Sequence, residues 1–285
     1  MRLENEFLRV NFKLAGSEWT SLYDKKRQIE YAYQADASWN GRNPTLFPVV
    51  GKLKNESYLY QGKTYHLGNH GFARYADFTL VSQTQQSLSL RLTDNKQTRA
   101  NYPFAFRLTN TYQLNEASLQ VTTQVFNPGK SDLLFSVGAH PAFRCPLLPG
   151  EKFSDYRLIF AQEEELRRLK MNPADSSFIP ERQAYGRRKT LPLNYDLFAE
   201  DALVWENLRS RYISLQGPHC GLKFSFSHVP WFGVWTKPGD PFLCLEPWHG
   251  HGDFTNYQGD FSQREGTIVL PPAVTFEFAY QIQIL

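Results

Sequence analysis

Four short stretches of the chain crowd titratable side chains among glycine, proline and aromatic residues: Asn43 to Leu53, Asn69 to Tyr75, Ser136 to Phe143 and Cys244 to Thr255. In the third, His140 follows the apolar run Phe135-Ser-Val-Gly-Ala and precedes Pro141, which places it at a strand end where a loop can expose it. Such a histidine either hydrogen-bonds its own loop or serves as an acid with a pKa near ~6.5, able to give a proton at neutral pH. In the fourth, Glu246 follows the apolar run Phe242-Leu-Cys-Leu. A carboxylate ending an apolar strand is costly to bury unless it is partnered or solvated, which favours a chemical use. Glu246 with Asp201 or Asp253 would also make a glycosidase-type carboxylate pair, a reading that turns on a distance the sequence does not supply. His249, His251 and Asp253 have the alternation that puts ligands on one face of a strand. The glycines between them suggest a loop, however, and no third histidine is near, so a complete metal set is not expected.

The elements that must position these residues read as strands. Leu88-Ser-Leu-Arg-Leu and Leu119-Gln-Val-Thr-Thr-Gln-Val-Phe alternate apolar with polar residues, the second running into the turn Asn127-Pro-Gly. Tyr58-Leu-Tyr and Thr64-Tyr-His-Leu flank Gln61-Gly-Lys as a hairpin would. Arg107 to Leu114, Tyr212 to Leu215, Leu222 to Phe226 and Phe276 to Leu285 continue the pattern. Gln162 to Met171 alone has a helical composition. Met171 to Leu197, punctuated by Pro173, Pro180, Gly186 and Pro192, reads as a long surface loop in which Arg187-Arg-Lys is solvated charge. Recurrent turns between strands predict an all-β antiparallel sandwich, a single domain over residues 1–285 without internal repeat or flexible linker.

Composition narrows the function classes. The 285 residues are 41% hydrophobic and 21% charged, enough for a large core. The net charge is only +3, with 31 basic residues spread among 28 acidic ones, so neither a nucleic-acid nor a membrane surface is implied. An N-terminus without an apolar signal region, and no apolar stretch of spanning length, lead to the expectation of a cytoplasmic protein. Cys145, Cys220 and Cys244 are odd in number and lack Cys-x-x-Cys spacing, so they are expected to be reduced thiols. Aromatics are abundant at 15%; most belong in a sandwich core, though Trp231, Trp235 or Trp248 can stack on a sugar ring.

Taken together and in order, the motifs resemble the aldose 1-epimerase (galactose mutarotase-like) family, and within it a LacX-like bacterial branch, over nearly the whole chain. Asn69-His-Gly-Phe-Ala-Arg is similar to that branch's His-Gly-Phe-Ala-Arg signature, His140-Pro-Ala-Phe to its His-Pro-Ala-Phe, and Leu245-Glu-Pro-Trp with Asp253-Phe-Thr to its closing motif. The resemblance implies a large antiparallel β-supersandwich with the site in a broad groove, no cofactor, no required metal and a monosaccharide substrate. It implies that His140 is the general acid and Glu246 the general base. His70 becomes the second histidine that assists at the sugar, and Asp201, in Glu200-Asp-Ala-Leu-Val-Trp, the sugar-binding aspartate. Lys52 stands where the galactose enzymes carry an arginine, keeping the charge but losing the flat bidentate fork. Arg74 joins the substrate-binding set.

The chemistry so implied is anomer exchange. A proton leaves the C1 hydroxyl while another reaches the ring oxygen, the open chain rotates about C1–C2, and the ring recloses. On this reading Glu246 and His140 face each other across a space as wide as a pyranose ring and are not hydrogen-bonded to each other. Two alternatives stand beside it. A hexose 6-phosphate mutarotase would need a basic rim, for which Arg42, Lys52, Arg74 and Arg144 are candidates. A sugar-binding or sensing protein would use the same scaffold without catalysis.

Overall fold

Leu88, Leu90 and Leu92 are buried while the residues between them are not, and this period-2 burial sets the strand Ser87–Thr93 against Thr79–Gln83 on one side and Arg107–Asn115 on the other. The computed structural model describes residues 1–172 and 174–285. From that edge the pairing continues through Ser118–Phe126, Thr275–Ile284, Gly221–Phe226, Tyr212–Gln216, Arg157–Met171, Leu203–Glu206, Trp231–Trp235 and Phe242–His249 to Val137–Ala139 and Thr45–Leu46. With Ala142–Arg144 and Phe178–Pro192 paired alongside, this is a 15-stranded sheet. A second sheet of four strands is built from Arg2–Glu4, Leu8–Phe12, Trp19–Asp24 and Ile29–Glu30. Neighbouring strands of both sheets run antiparallel, so the expected all-β antiparallel architecture is what forms. Leu3, Val10, Trp19 and Leu22 of the small sheet share one hydrophobic cluster with Leu90, Leu108, Leu119, Phe224 and Ile282 of the large one. Each such side chain contributes roughly 1.5–3 kcal/mol by leaving water.

The hairpin read around Gln61-Gly62 also forms, between Ser57–Tyr60 and Lys63–His66. Both turn residues have positive φ, 50° and 75°, the twist that a two-residue turn needs to match paired strands.

Two expectations fail together. Gln162 to Met171 is not a helix but the last two thirds of the strand Arg157–Met171, and most of Met171 to Leu197 is not a loop but its partner, Phe178–Pro192. Pro173 lies outside the described residues. Helix propensity of Glu, Leu, Arg and Lys is a weak prior that sheet pairing on both sides overrides. Alternation was also disguised, because two of the inward positions are Glu164 and Arg168. Glu164 is accommodated by accepting backbone N–H bonds from Arg209 and Ser210. Phe178–Pro192 hides its pattern because it is exposed on both faces for most of its length, and Arg187, Arg188 and Lys189 lie on this outlying strand, where charge discourages edge-to-edge association. Conversely, the short helix Lys96–Asn101, closed by an Asn95 capping box, had no apolar period to reveal it.

Candidate active site

Strand Phe242–His249 is buried along nearly its whole length because other strands pair with it on both sides. Trp231–Trp235 pairs along one edge, with Gly233 opposite Glu246. Along the other edge lie Val137–Ala139 and Ala142–Arg144, in a shared register that sets Gly138 against Trp248 and Ala142 against Cys244. The break between these two pieces, His140-Pro141, therefore falls opposite Glu246. Pro141 has no N–H to give a ladder, so the interruption is built into the sequence at the point where the histidine must leave it.

His140 Nε2 lies 3.3 Å from Glu246 Oε2, and the two side chains are 8% and 1% exposed. The separation is that of an ion pair, but the contact lacks hydrogen-bond geometry, since Glu246 Oε2 is buried without a hydrogen-bond partner; the other ring nitrogen, His140 Nδ1, is unpartnered too. The expectation that the two are not hydrogen-bonded fits this geometry, whereas the expected pyranose-wide gap between them is absent. Adjacent strands are ~4.8 Å apart, so side chains rising from facing positions are brought together rather than spread.

Above the pair opens a cavity of about 230 Å³ whose walls include His140, Glu246, His70, Lys52, Arg74 and Asp201, all six residues singled out from the sequence. His70 has a left-handed φ of 62°, rare for a residue with a Cβ, and is pinned by exchange with Gly51: its N–H donates to the Gly51 carbonyl and its Nδ1 accepts from the Gly51 N–H at 3.0 Å. Gly51 itself has φ +73°, and a Cβ there would meet the Gly252 nitrogen at 2.5 Å. Only glycine allows that approach, which sets Lys52 into the wall. Asp201, at φ 75°, is held by the Ser176 hydroxyl, which donates to Oδ2 at 2.9 Å, and by the Ala202 N–H on Oδ1. Lys52 and Arg74 have no side-chain hydrogen bond or ion pair among the described residues.

Burial dominates the electrostatics. It pushes the Glu246 carboxyl well above the usual carboxylate range, an effect the neighbouring Trp248 indole opposes and the Asp201 charge reinforces. It lowers His140 to about 3, with Arg74 adding repulsion, and holds His70 well below the ordinary histidine value, with His140 and Arg74 adding to the effect. In the free pocket, burial thus favours a neutral carboxyl beside a neutral imidazole. Since the Nδ1 of neutral His70 accepts a hydrogen bond, its Nε2 carries the proton and is a donor.

Trp39 was not anticipated. It lines the cavity and stacks on His140 with ring centroids 5.1 Å apart, while Trp235 meets His140 edge-on at 5.8 Å. Nothing in the sequence around Trp39, a stretch without motif or alternation, marks it. Of the three tryptophans considered as platforms, Trp235 and Trp248 line the cavity and Trp231 packs on His251. His249 sits between Phe276 and Phe278, and His251 bonds the Gly252 carbonyl through Nδ1. Asp253 is bound by Arg264 and by the Lys54 N–H, so these three do not converge as metal ligands and Asp253 is not the second carboxylate of this cavity. Arg42 and Arg144 do not line the cavity either. The residues His140, Cys244 and Glu246 do converge, their ligand atoms all within 4.8 Å of one another. All three cysteines are free and buried. Among the described residues, no helix is long and apolar enough to cross a membrane.

Residues 1–274 match the family model described as aldose 1-epimerase. The chain is 34% identical to the chromosomal protein LacX of Lactococcus lactis over 297 residues, covering 100% of this chain and 99% of that one. Among solved structures, a galactose mutarotase related enzyme from Lactobacillus acidophilus superposes with a TM-score of 0.94 at 32% identity, covering 100% of this chain and 97% of the other. A galactose mutarotase-like protein from Lactobacillus casei does so with a TM-score of 0.90 at 27% identity, covering 100% and 99%.

Proposed function

The chain belongs to the aldose 1-epimerase family, and from that premise we propose that it interconverts the α and β anomers of a hexose, with Glu246 and His140 moving the protons. The observation that carries this reading is the buried contact between those two groups at the floor of a cavity whose other polar walls are His70, Lys52, Arg74 and Asp201. Because the pair is in contact, the sugar lies over it rather than between its members, with C1–OH and the ring oxygen, which share one carbon, reaching the two adjacent groups.

The pair holds one proton between two coupled groups. Burial favours its place on Glu246 in the free pocket. A hexose whose hydroxyls donate to Glu246 stabilises the carboxylate and shifts the proton to His140, which creates the base and the acid together. Glu246 then takes the C1 hydroxyl proton as His140 gives its own to the ring oxygen, and the roles reverse on closure. Each positioned transfer is worth ~10²- to 10⁴-fold. His70 Nε2–H, Lys52, Arg74 and Asp201 hold the remaining hydroxyls while C1–C2 turns. No step calls for a metal or an organic cofactor.

Polarimetry on a panel of freshly dissolved aldoses tests the proposal: at least one hexose should lose its optical rotation excess far faster than in buffer. A protein that binds a hexose yet leaves its mutarotation at the solvent rate would instead be a sensing module. Phosphorylated hexoses belong in the panel, because Lys52 and Arg74 line the cavity with no carboxylate partner among the described residues. Inhibition by inorganic phosphate would support that second reading.

A further inference from the structure

Cys244 has no part in the proton transfers, yet it lies two residues before Glu246 on the same face of the same strand. His140 falls opposite Glu246 on the neighbouring strand pieces. We infer that Cys244, Glu246 and His140 form a site for a thiophilic divalent cation of the zinc and cadmium type, and that its occupation switches the pocket off. All three side chains are buried, and their sulfur, oxygen and nitrogen ligand atoms lie within 4.8 Å of one another. Around a tetrahedral zinc ion, with bonds of ~2.0 Å to nitrogen and oxygen and ~2.3 Å to sulfur, ligands are roughly 3.5 Å apart. The His140 and Glu246 atoms already stand at 3.3 Å, so small side-chain rotations close the set.

A second, independent feature points the same way. Glu246 Oε2 is buried without a hydrogen-bond partner, a deficit that a cation on this side would remove. The donor set of one thiolate, one imidazole and one carboxylate suits zinc or cadmium and excludes magnesium and calcium, which take oxygen alone. Three protein ligands leave a fourth position, and His140 and Glu246 open onto the cavity that would supply it with water or a sugar hydroxyl. The cation takes Cys244 as thiolate and Glu246 as carboxylate, so its binding releases the buried thiol proton and the carboxyl proton to solvent. With the acid and the base both turned into ligands, metal binding and proton transfer exclude each other.

Cadmium chloride titrated into the purified full chain is the probe. Thiolate-to-cadmium charge-transfer absorbance should grow to one equivalent, mutarotation should vanish with it, and EDTA should restore activity. In Cys244→Ser the absorbance should be lost even though Cys145 and Cys220 remain, and the cadmium concentration that halves activity should rise at least tenfold. Absorbance that persists in Cys244→Ser overturns the site. Should that variant not fold, Glu246→Gln serves, expected to weaken cadmium binding at least tenfold; unchanged binding overturns the site equally. The absorbance reads the metal without reference to turnover, so a chain devoid of mutarotase activity can still pass this test, and an active one can fail it.

Discussion

Glu246 and Asp253 are carboxylates seven residues apart on the same motif-rich stretch, and both are buried, 1% and 5% exposed. Both oxygens of Asp253 are bonded: Arg264 Nε donates to one, the Lys54 N–H to the other at 2.9 Å, and Arg264 also donates to the His251 carbonyl. Glu246 leaves Oε2 unpartnered, touches His140 without hydrogen-bonding it, and opens onto a cavity. The first arrangement ties three segments of chain together. The second leaves bonding capacity open on the cavity side, and burial holds its protonation away from the ordinary value. Burial of a carboxylate therefore says little by itself; whether its hydrogen bonds are already filled separates a structural charge from a reactive one.

The strongest way to break that comparison is to neutralise each carboxylate. Glu246→Gln keeps shape but removes basicity, so polarimetric turnover should fall by about 10²- to 10⁴-fold while calorimetric sugar binding persists. Near-normal turnover would remove Glu246 from the chemistry. His140→Asn should cost a similar factor, and the double variant little more than either single one, because neither transfer is of use without the other.

Stability should follow the opposite order. Asp253→Ala strands the Arg264 guanidinium in the interior and should cost about 3–5 kcal/mol in denaturant unfolding. Glu246→Gln relieves a carboxyl that burial already disfavours in its charged form, so its unfolding midpoint should be unchanged or higher. If Glu246→Gln proves the more destabilising of the two, the distinction drawn between the clusters is wrong.

The pH profile sharpens the picture further. His140, lowered to about 3, stays neutral as pH falls past the ordinary histidine value of 6.5. The active one-proton pair is lost only when His140 gains a second proton on the acid side or when the pair's single proton leaves on the basic side. The acid limb of kcat/KM should accordingly lie well below pH 6, in a plateau where an exposed histidine would titrate. A half-point near 6.5 would show that His140 is solvated in solution.

The smallest effect is expected at the rim. Ser176→Ala removes one hydrogen bond orienting Asp201, worth about 0.5–1.5 kcal/mol, and should raise KM roughly 2- to 10-fold with kcat little changed. Steady-state kinetics with an accelerated sugar would show it, and a fall in kcat alone would move Ser176 closer to the reaction.

Residue type and local order carried much of this protein. Alternation in Ser87–Thr93 and Ser118–Phe126 announced half-buried strands because each has one face in the core and one outside it. The Gln61-Gly62 turn was legible because its backbone demand is local. His140 and Glu246 could be singled out because each ends an apolar run with a group that is expensive to bury. Arg157–Met171 and Phe178–Pro192 escaped the same reasoning, since buried charge at Glu164 and Arg168 in one, and exposure of both faces in the other, erase the period that identifies a strand.

What the chain's own order could not decide is how residues far apart meet. The 3.3 Å approach of His140 to Glu246 depends on strand register across more than a hundred residues, and the exclusion of Asp253 from the site depends on Arg264 reaching it first. Trp39 over His140, and Ser176 on Asp201, arise from loops brought to one cavity. Local sequence determines which groups are available and which backbone shapes they favour. The packing of the sheets determines which of those groups are satisfied by neighbours and which are left with bonds to make, because distance, desolvation and hydrogen-bond saturation are properties of the folded whole.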